Sequence, residues 1–228
     1  MTGIIAAMQK ELSELEKHIE NASYRQLPGT SFISGTLYGH EIVAAVCGIG
    51  KVNAAVCAQR MIDLYRADRI INTGVAGALS GSLHVCDAVV ASYAVQHDVD
   101  TTALGDEIGF VSTVNTVRFE TDKETNEALL KSIRAVGLRG TIGGIASGDQ
   151  FISAAQDKQR ISSLFGCVAC EMEGGAIAQV CRINQIPCAI IRTISDGADE
   201  DASMSYAAFS DLAAVNSAKA LLHFFKNN

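Results

Sequence analysis

Short apolar runs alternate along this chain with segments in which apolar residues recur every three or four positions. The run at residues 3–7 predicts a strand. Leu12, Leu15 and Ile19 follow at helical spacing and predict a helix over residues 9–18. The same succession of strand and helix continues towards the C-terminus, which is typical of an α/β fold.

The rest of the apolar pattern predicts further strands and helices. Strands are expected at residues 31–37, 41–47, 69–73, 85–93, 141–146 and 189–195. Helices are expected at residues 52–65, 125–136, 157–164, 176–183 and 204–225. Tyr38-Gly39-His40 lies between the first two of these strands and is a hairpin signal. Residues 103–120 are the least regular and suit a flap or an interface loop.

No linker, internal repeat or low-complexity tract divides the 228 residues of the sequence. We therefore expect one domain over residues 1–228, built from a mixed sheet with helices on both faces. Hydrophobic residues make up 48% of the chain and charged residues 19%, so a sizeable core can be buried.

The overall charge narrows the classes of partner. A net charge of −7 and a pI of about 5.2 argue against nucleic acid and against an anionic membrane surface. The sequence contains no apolar run long enough to span a bilayer, and its N-terminus lacks the charged start of a signal peptide. We therefore expect a cytoplasmic protein.

The seven cysteines lie mostly among Ala, Val and Ile, as free core thiols do. Cys167 and Cys170 have the CxxC spacing of redox and zinc sites. No second CxxC or neighbouring His completes a zinc set. We expect neither a metal nor an organic cofactor.

Residues 170–198 carry charge within apolar surroundings. Glu171-Met172-Glu173 precedes a short helix, and Arg192-Thr193-Ile194-Ser195-Asp196 ends the apolar run after Pro187. This pattern predicts a strand, helix and strand of a parallel sheet. Side chains alternate along a strand, so Arg192, Ile194 and Asp196 are expected on one face.

A buried Arg and Asp are costly unless they are paired or serve a site. Ligands of open α/β sheets bind at the carboxyl ends of the strands. The pattern therefore predicts carboxylates and one guanidinium that converge on a small molecule. A purely structural Arg192–Asp196 ion pair is the alternative.

Three other segments are candidates for the same site. Glu11 lies in the first turn of the first predicted helix, where the helix dipole favours a carboxylate whether or not it has a function. Gly48-Ile49-Gly50-Lys51 superficially suggests a phosphate cradle but lacks the spacing of a P-loop. The small residues at 74–78 would let backbone approach a ligand closely. We place residues 97–100, HDVD, in a loop near the site or at a subunit contact rather than at a metal.

Six motifs occur in order along nearly the whole chain: GIIAAMQKE near the start, then GIGKVNAA, INTGVAGAL, SGDQFI, EMEGGAIAQVC and RTISDGAD. With them the chain resembles the methylthioadenosine/S-adenosylhomocysteine nucleosidases of the nucleoside phosphorylase superfamily. The resemblance implies a single-domain three-layer α/β/α sandwich around a twisted mixed β-sheet, a homodimer and a place in methionine salvage. It implies a hydrolase that cleaves the N-glycosidic bond between adenine and a 5′-thio-substituted ribose.

The resemblance also implies roles for individual residues. Asp196 would be the acid at adenine N7, and Glu11 the base that positions and deprotonates the attacking water. Glu173 would hold the ribose hydroxyls. The other implied substrate-binding residues are Ile49, Ala76, Gly77, Phe151, Ile152, Met172, Arg192, Ser195 and Tyr206.

These residue types suit the reaction. Adenine leaves readily only when its developing negative charge is neutralised, so an acid beside N7 is needed. The ribose becomes oxocarbenium-like as the bond breaks, and nearby carboxylates stabilise that positive charge. A water then attacks the opposite face, as in inverting glycoside hydrolysis.

The chain departs from the family pattern in three places. Val75 stands where many members have Ser, and Tyr206 stands where Phe is frequent. Residues 104–113 match the family's flap region poorly. These differences leave the core chemistry intact and leave the preferred 5′-substituent open.

The same residues bear on four other functions. A purine nucleoside phosphorylase would place a phosphate dianion where Glu11 repels it and Val75 offers no hydroxyl. A nucleosidase for aminodeoxyfutalosine would use the same catalytic residues and stays open as an alternative. A non-catalytic nucleoside-binding module would have no reason to combine an acid, a base and a ribose carboxylate. A dinucleotide oxidoreductase would need a full glycine fingerprint.

Overall fold

The part of the chain that the computed structural model describes, residues 1–198 and 202–228, contains ten strands and six α-helices. The strands are β1 (Thr2–Ala6), β2 (Glu20–Leu27), β3 (Thr30–Leu37), β4 (His40–Val46), β5 (Arg69–Ala78), β6 (Ala88–Gln96), β7 (Phe119–Glu120), β8 (Gly140–Ser147), β9 (Cys167–Glu171) and β10 (Cys188–Asp196). The helices are α1 (Gln9–Glu16), α2 (Lys51–Tyr65), α3 (Lys123–Ala135), α4 (Ala155–Phe165), α5 (Gly174–Asn184) and α6 (Ala202–Asn227).

The strands form one mixed sheet in the order β10-β6-β8-β9-β5-β1-β4-β3-β2, with β7 paired to β6. β4, β1, β5 and β10 run parallel, and β3 and β2 extend the sheet antiparallel at its far edge. β10 also pairs with β6, so β5, β10, β6, β8 and β9 close into a ring. The ring places Gly77 of β5 beside both Cys170 and Asp196.

Helices cover both faces of the sheet. α2 and α5 pack on one face, where Met61 and Ile177 join the larger apolar core. α1, α3 and α6 pack on the other, where Leu12, Ile133 and Leu221 belong to a second core. The protein is therefore a single-domain three-layer α/β/α sandwich around a twisted mixed sheet, and that prediction is confirmed.

The predicted hairpin is confirmed in a tight form. Leu37 pairs with His40, so the turn consists of Tyr38 and Gly39 alone. Both turn residues have positive φ, 50° and 90°. This is the left-handed conformation that two-residue hairpin turns require because it matches the twist of the strands.

The pattern of apolar residues missed β2. This strand is exposed along almost its whole length, so its sequence shows no apolar alternation. Among the described residues its one partner strand is β3, at the edge of the sheet, and it is held by backbone hydrogen bonds rather than by burial.

Three sequence-based expectations are corrected by the structure. The strand predicted at residues 69–73 continues through residues 74–78 as β5, because β10 pairs with this segment through Asp196. β9 and β10 are not a parallel pair: β9 runs antiparallel to β5 whereas β10 runs parallel to it. The irregular segment predicted at 103–120 includes β7, whose Phe119 is buried in the core.

No helix within residues 1–198 and 202–228 is both long and apolar enough to cross a membrane.

Candidate active site

A cavity of about 360 Å³ opens where the carboxyl ends of β1, β5, β8, β9 and β10 meet. Every residue that the sequence predicted for the site lines it: Glu11, Ile49, Ala76, Gly77, Phe151, Ile152, Met172, Glu173, Arg192, Ser195, Asp196 and Tyr206. The remaining lining residues are Ala7, Met8, Val75, Gln150, Cys170 and Glu171. Eleven positions from six separate motifs, together with Tyr206, thus converge on one cavity, although their individual roles remain predictions.

Glu11 is fixed by backbone amides. α1 begins directly after β1, so its first turn stands at the strand's carboxyl end. The N–H groups of Ala7 and Met8 donate to Glu11 Oε2 at 2.9 and 2.8 Å, and that of Val75 donates to Oε1 at 3.0 Å. Burial raises the pKa of Glu11, although Arg192 and these hydrogen bonds oppose the rise. A carboxylate of raised pKa in a rigid cradle suits a general base.

Two glycines of β5 leave the space that the charged side chains occupy. A Cβ on Gly74 would overlap Glu11 and Arg192. A Cβ on Gly77 would lie 2.7 Å from Asp196 Oδ2. The small residues at this end of β5 therefore admit the site's own side chains.

Arg192 is buried and neutralised by glutamates. Its Nη2 contacts Glu171 Oε2, lies 3.5 Å from Glu173 Oε2 and donates to Asn72 Oδ1 at 2.5 Å. Burial lowers the pKa of Arg192, but Glu171 and Glu173 outweigh that effect and raise it. Among the described residues, the ion-pair partners of this guanidinium are glutamates rather than Asp196, so the alternative of a structural Arg192–Asp196 pair is not what the structure shows.

Glu171 organises the start of α5. It accepts hydrogen bonds from the backbone N–H groups of Glu173 and Gly174 and from the hydroxyl of Ser147. Backbone N–H groups at a helix N-terminus are natural partners for a carboxylate. Glu171 thereby holds Arg192 and the backbone of Glu173 in one network.

Glu173 faces the cavity and has an unusual protonation equilibrium. Its Oε1 accepts a hydrogen bond of 2.9 Å from the Gly50 N–H. Burial and the nearby Glu171 raise the pKa of Glu173 to about 7, although Arg192 and this bond oppose the rise. The carboxyl can therefore exchange its proton near neutral pH.

Asp196 lies at the last position of β10, next to a bulge that skips Ser195 in the pairing with β5. The Ser195 hydroxyl donates to Asp196 Oδ1 at 2.9 Å. Lys158 Nζ of α4 lies 3.4 Å from Oδ2, and both side chains are only 2% exposed. The carboxyl is thus buried at the cavity wall beside a hydroxyl and an ammonium group.

Aromatic and apolar side chains also line the cavity. Phe151 and Tyr206 meet edge to face with ring centroids 5.6 Å apart. The Tyr206 hydroxyl donates to Met8 Sδ at 3.3 Å, and Phe151 is half exposed. This arrangement offers an apolar slot for a flat ring.

The loop at residues 97–100, expected near the site or at a subunit contact, lies near the site. Lys51 Nζ pairs with Asp98 Oδ1, and the Asp149 N–H donates to Asp98 Oδ2 at 3.0 Å. The Lys51 N–H donates to Asp149 Oδ1 at 2.7 Å. This three-residue group, here called the loop clamp, joins the start of α2 to the loops after β6 and β8.

The cysteines behave as core thiols. All seven are free, and burial raises the pKa values of Cys167 and Cys170 to about 12. A thiol of such high pKa is a poor nucleophile and a poor metal ligand at neutral pH.

Known proteins share this fold and this length. The family described as the phosphorylase superfamily matches residues 2–226. A 5′-methylthioadenosine/S-adenosylhomocysteine nucleosidase of Halalkalibacterium halodurans is 40% identical over 221 residues, which cover 96% of this chain and 95% of that protein. The chain belongs to the 5′-methylthioadenosine/S-adenosylhomocysteine nucleosidase family.

Solved structures agree with this membership. The nucleosidase of this name from Neisseria meningitidis, in complex with methylthio-immucillin-A, has a TM-score of 0.95 at 39% identity and covers 100% of this chain and 99% of its own. The futalosine hydrolase of Helicobacter pylori has a TM-score of 0.92 at 35% identity and covers 98% of this chain and 96% of its own. The resemblance drawn from the six motifs is confirmed.

Sequence reasoning missed two residues of this nucleosidase-family site. Glu171 lies within a recognised motif, but its partners Arg192 and Ser147 are distant in sequence, so no local signal gave its role. Lys158 does leave a signal in the sequence. It occupies the same helical stripe as Ile161 and Phe165, both buried, where an apolar residue would be expected.

Proposed function

We propose that the cavity is a hydrolytic active site in which three carboxyl groups and one guanidinium each have a separate role in the reaction. The protein is a hydrolase that cleaves the N-glycosidic bond of 5′-methylthioadenosine and S-adenosylhomocysteine, releasing adenine and the 5′-thioribose. The convergence of Glu11, Glu173, Arg192 and Asp196 on one cavity, each held by a different set of partners, carries this proposal.

Asp196 is the leaving-group acid in this proposal. As the bond from C1′ to adenine N9 breaks, its electron pair moves into the purine, and Asp196 gives a proton to N7. The buried position of Asp196 supports the role, because an acid excluded from water transfers its proton to the substrate rather than to solvent.

Glu11 is the base that positions and deprotonates the attacking water. A Cβ on Gly74 would meet Glu11 and a Cβ on Gly77 would meet Asp196, and these two positions are three residues apart along β5. Three residues of strand span roughly 10 Å, which leaves room for a sugar and a water between acid and base.

Glu173 and its neighbours hold the sugar and the base. Glu173 accepts hydrogen bonds from the ribose hydroxyls, and Met172 packs against the sugar. Arg192 orders the water and the ribose side. Phe151 stacks on adenine, and the Ile152 backbone hydrogen-bonds to it.

Phosphorolysis fits the cavity poorly. Arg192 is the only basic side chain among the described residues that line it, and Glu171 and Glu173 already compensate its charge. Val75 contributes an apolar side chain where a phosphate would need a donor. A phosphate dianion beside Glu11 would meet repulsion rather than attraction.

Aminodeoxyfutalosine is a second candidate substrate. The likeness to a futalosine hydrolase at 35% identity favours it, because that protein's full length is covered almost as well as that of the nucleosidases. The same acid, base and ribose carboxylate would serve both reactions, so the two substrates differ only at the 5′ end.

The first experiment measures adenine release from 5′-methylthioadenosine, S-adenosylhomocysteine and aminodeoxyfutalosine, with and without phosphate. We expect phosphate-independent release and free thioribose. Adenine release that requires phosphate and yields a ribose 1-phosphate would contradict the proposed role of Glu11 as the base that activates water. Release from aminodeoxyfutalosine alone would establish the second candidate.

Single variants test the roles. Asp196→Asn and Glu11→Gln each keep the shape but remove the proton chemistry, and we expect kcat to fall by about 10²- to 10⁴-fold. Asp63→Asn and Glu14→Gln are matched controls on α2 and α1, with Asp63 exposed and Glu14 partly exposed outside the cavity, and should leave kcat unchanged. Full activity of Asp196→Asn would contradict the assignment of Asp196 as the leaving-group acid.

The family membership also supports three expectations about the protein in the cell. We expect a homodimer, a cytoplasmic location and a place in methionine salvage. The reaction proposed here needs no metal and no organic cofactor.

A further inference from the structure

Lys158 is a charged residue in an apolar position. It lies one helical turn before Ile161 on α4, and these two residues and Phe165 are the buried residues of that helix. The Lys158 side chain is 2% exposed. Burial of an ammonium group is costly unless compensating partners surround it, so this position needs an explanation beyond packing.

Two partners of Lys158 among the described residues lie at the carboxyl end of β10. Its Nζ lies 3.4 Å from Asp196 Oδ2 and donates to the Gly197 carbonyl. α4 also begins three residues after Ile152, which lines the cavity. Lys158 therefore connects the helix that follows the predicted adenine slot to the predicted leaving-group acid.

We propose that Lys158 is a positioning residue for Asp196: it fixes the carboxyl group against the substrate and stabilises the carboxylate that forms when the proton has left. This inference rests on the proposed role of Asp196. Ser195 holds one oxygen of the same carboxyl, and Lys158 holds the other.

Lys158 exerts this stabilising effect in the chemical step. In that step the proton passes from the Asp196 carboxyl to adenine N7, and the electrons of the C1′–N9 bond pass to the purine. Asp196 changes from a neutral acid to a buried anion. A neighbouring ammonium stabilises the anion more than the acid, so the transition state gains more than the bound substrate does.

The test is a double-mutant cycle with Lys158→Met and Asp196→Asn, measured on the full-length enzyme with 5′-methylthioadenosine. Lys158→Met should lower kcat by roughly 10- to 100-fold with KM changed less than about threefold, because only the transition state loses its stabilisation. In the Asp196→Asn background the same change should have almost no further effect.

Matched variants separate charge from packing. Arg160→Met removes one positive charge two residues away, from a side chain that is 46% exposed and paired with Asp157. It should leave kcat unchanged. Lys158→Gln keeps a donor for the Gly197 carbonyl without the charge, and it replaces Lys158→Met in the cycle if that variant does not fold. We expect it to lose kcat as well.

A second substrate distinguishes a role of Lys158 in proton transfer from a purely structural role. A 5′-methylthioriboside with p-nitrophenolate as the leaving group needs no proton, so Lys158→Met should cleave it at nearly the wild-type rate. Equal losses on both substrates would overturn the proposal, as would a full additional loss in the Asp196→Asn background or an unchanged kcat. If Asp196→Asn alone retains activity, the proposed role of Asp196 fails instead, which is a distinguishable outcome.

Discussion

Burial raises the pKa of two carboxyl groups at this site, Glu11 and Glu173. Glu173 has a pKa raised to about 7, with burial as the largest cause and Glu171 as the second. In the unfolded chain the same group ionises near its ordinary pKa of 4.5. Between these two values the folded protein keeps a proton that the unfolded chain has lost.

This difference predicts a pH-dependent stability. The contribution of Glu173 to the free energy of unfolding is fully present below about pH 4.5 and is lost as the pH rises to about 7. Glu173→Gln removes the titration. We expect the stability of the variant relative to wild type to increase by on the order of 1–3 kcal/mol between pH 5 and pH 7.5.

Urea unfolding at the two pH values measures this stability. Glu127→Gln, from a side chain that is 65% exposed on α3, is the control and should show no such trend. A stability difference between Glu173→Gln and wild type that does not change with pH would contradict the raised pKa.

Gly77 gives a second prediction for a single residue. Gly77→Ala adds a Cβ that would lie 2.7 Å from Asp196 Oδ2, so the acid must move. Displacement of a catalytic group by about 1 Å costs roughly 100-fold in rate, so we expect kcat to fall by about that factor.

Gly143→Ala is a matched control for crowding. Its Cβ would lie 2.7 Å from the Val168 side chain, and neither residue lines the cavity. We expect Gly143→Ala to lower the thermal midpoint but to keep kcat within about twofold. Equal activity losses in the two alanine variants would show that crowding of Asp196 is not the cause.

Separate elements meet at the cavity through the loop clamp of Lys51, Asp98 and Asp149. The Lys51 and Asp98 side chains are 16% and 19% exposed, so solvent screens their ion pair only partly. Gly50 directly precedes Lys51, and its N–H binds Glu173. The clamp therefore positions a backbone donor of the proposed ribose carboxylate, together with the loop that leads to Phe151.

Asp98→Asn tests this connection between elements. The amide weakens the bond to Lys51 and leaves the loops free to shift relative to α2. We expect KM for 5′-methylthioadenosine to rise by about 3- to 10-fold, with a smaller change in kcat, because ground-state contacts to the sugar are lost. Steady-state kinetics measure both constants.

The control for Asp98→Asn is Glu127→Gln, which breaks the exposed Lys123–Glu127 pair of 3.9 Å. Exposed pairs contribute little, so this variant should match wild type. An unchanged KM in Asp98→Asn would show that the three loops keep their positions without the clamp.

At the scale of the whole molecule, the outer face of α2 is incompletely covered. Val52 is 74% exposed and Val56, one helical turn later, is 43% exposed. Leu104, in the segment predicted as a flap or interface loop, is 82% exposed. Exposed apolar side chains of this size favour burial against another subunit, in agreement with the expected homodimer.

Light scattering tests the homodimer. We expect a mass of twice the 24.0 kDa chain at micromolar concentration. Val52→Lys should shift the mass towards that of one chain because it places a charge in the apolar face. Tyr24→Lys, at an equally exposed position on the edge strand β2, should leave the mass unchanged. A wild-type protein of about 24 kDa would contradict the homodimer.

The sequence determined the kinds of element and the chemistry available to the site. Apolar spacing predicted β1, the hairpin of β3 and β4, and all six helices, because an element that is buried on one face has apolar residues at regular intervals in its sequence. Charges within the apolar surroundings of residues 170–198 predicted a site at Glu173, Arg192 and Asp196, because buried charges are costly unless they are paired or serve a site. The roles of these residues and of Glu11 came from the resemblance of the six motifs.

Tertiary structure alone decided which of these groups meet. The Gly50 N–H binds Glu173, 123 residues away, and Lys158 reaches Asp196 across 38 residues. β2 joined the sheet without any apolar alternation, and β10 closed the ring through β5 and β6. The local spacing of apolar residues indicates which face of each element is buried. Strand order, strand register and the pairing of buried charges depend on contacts between distant segments, and such contacts form only when the whole chain packs.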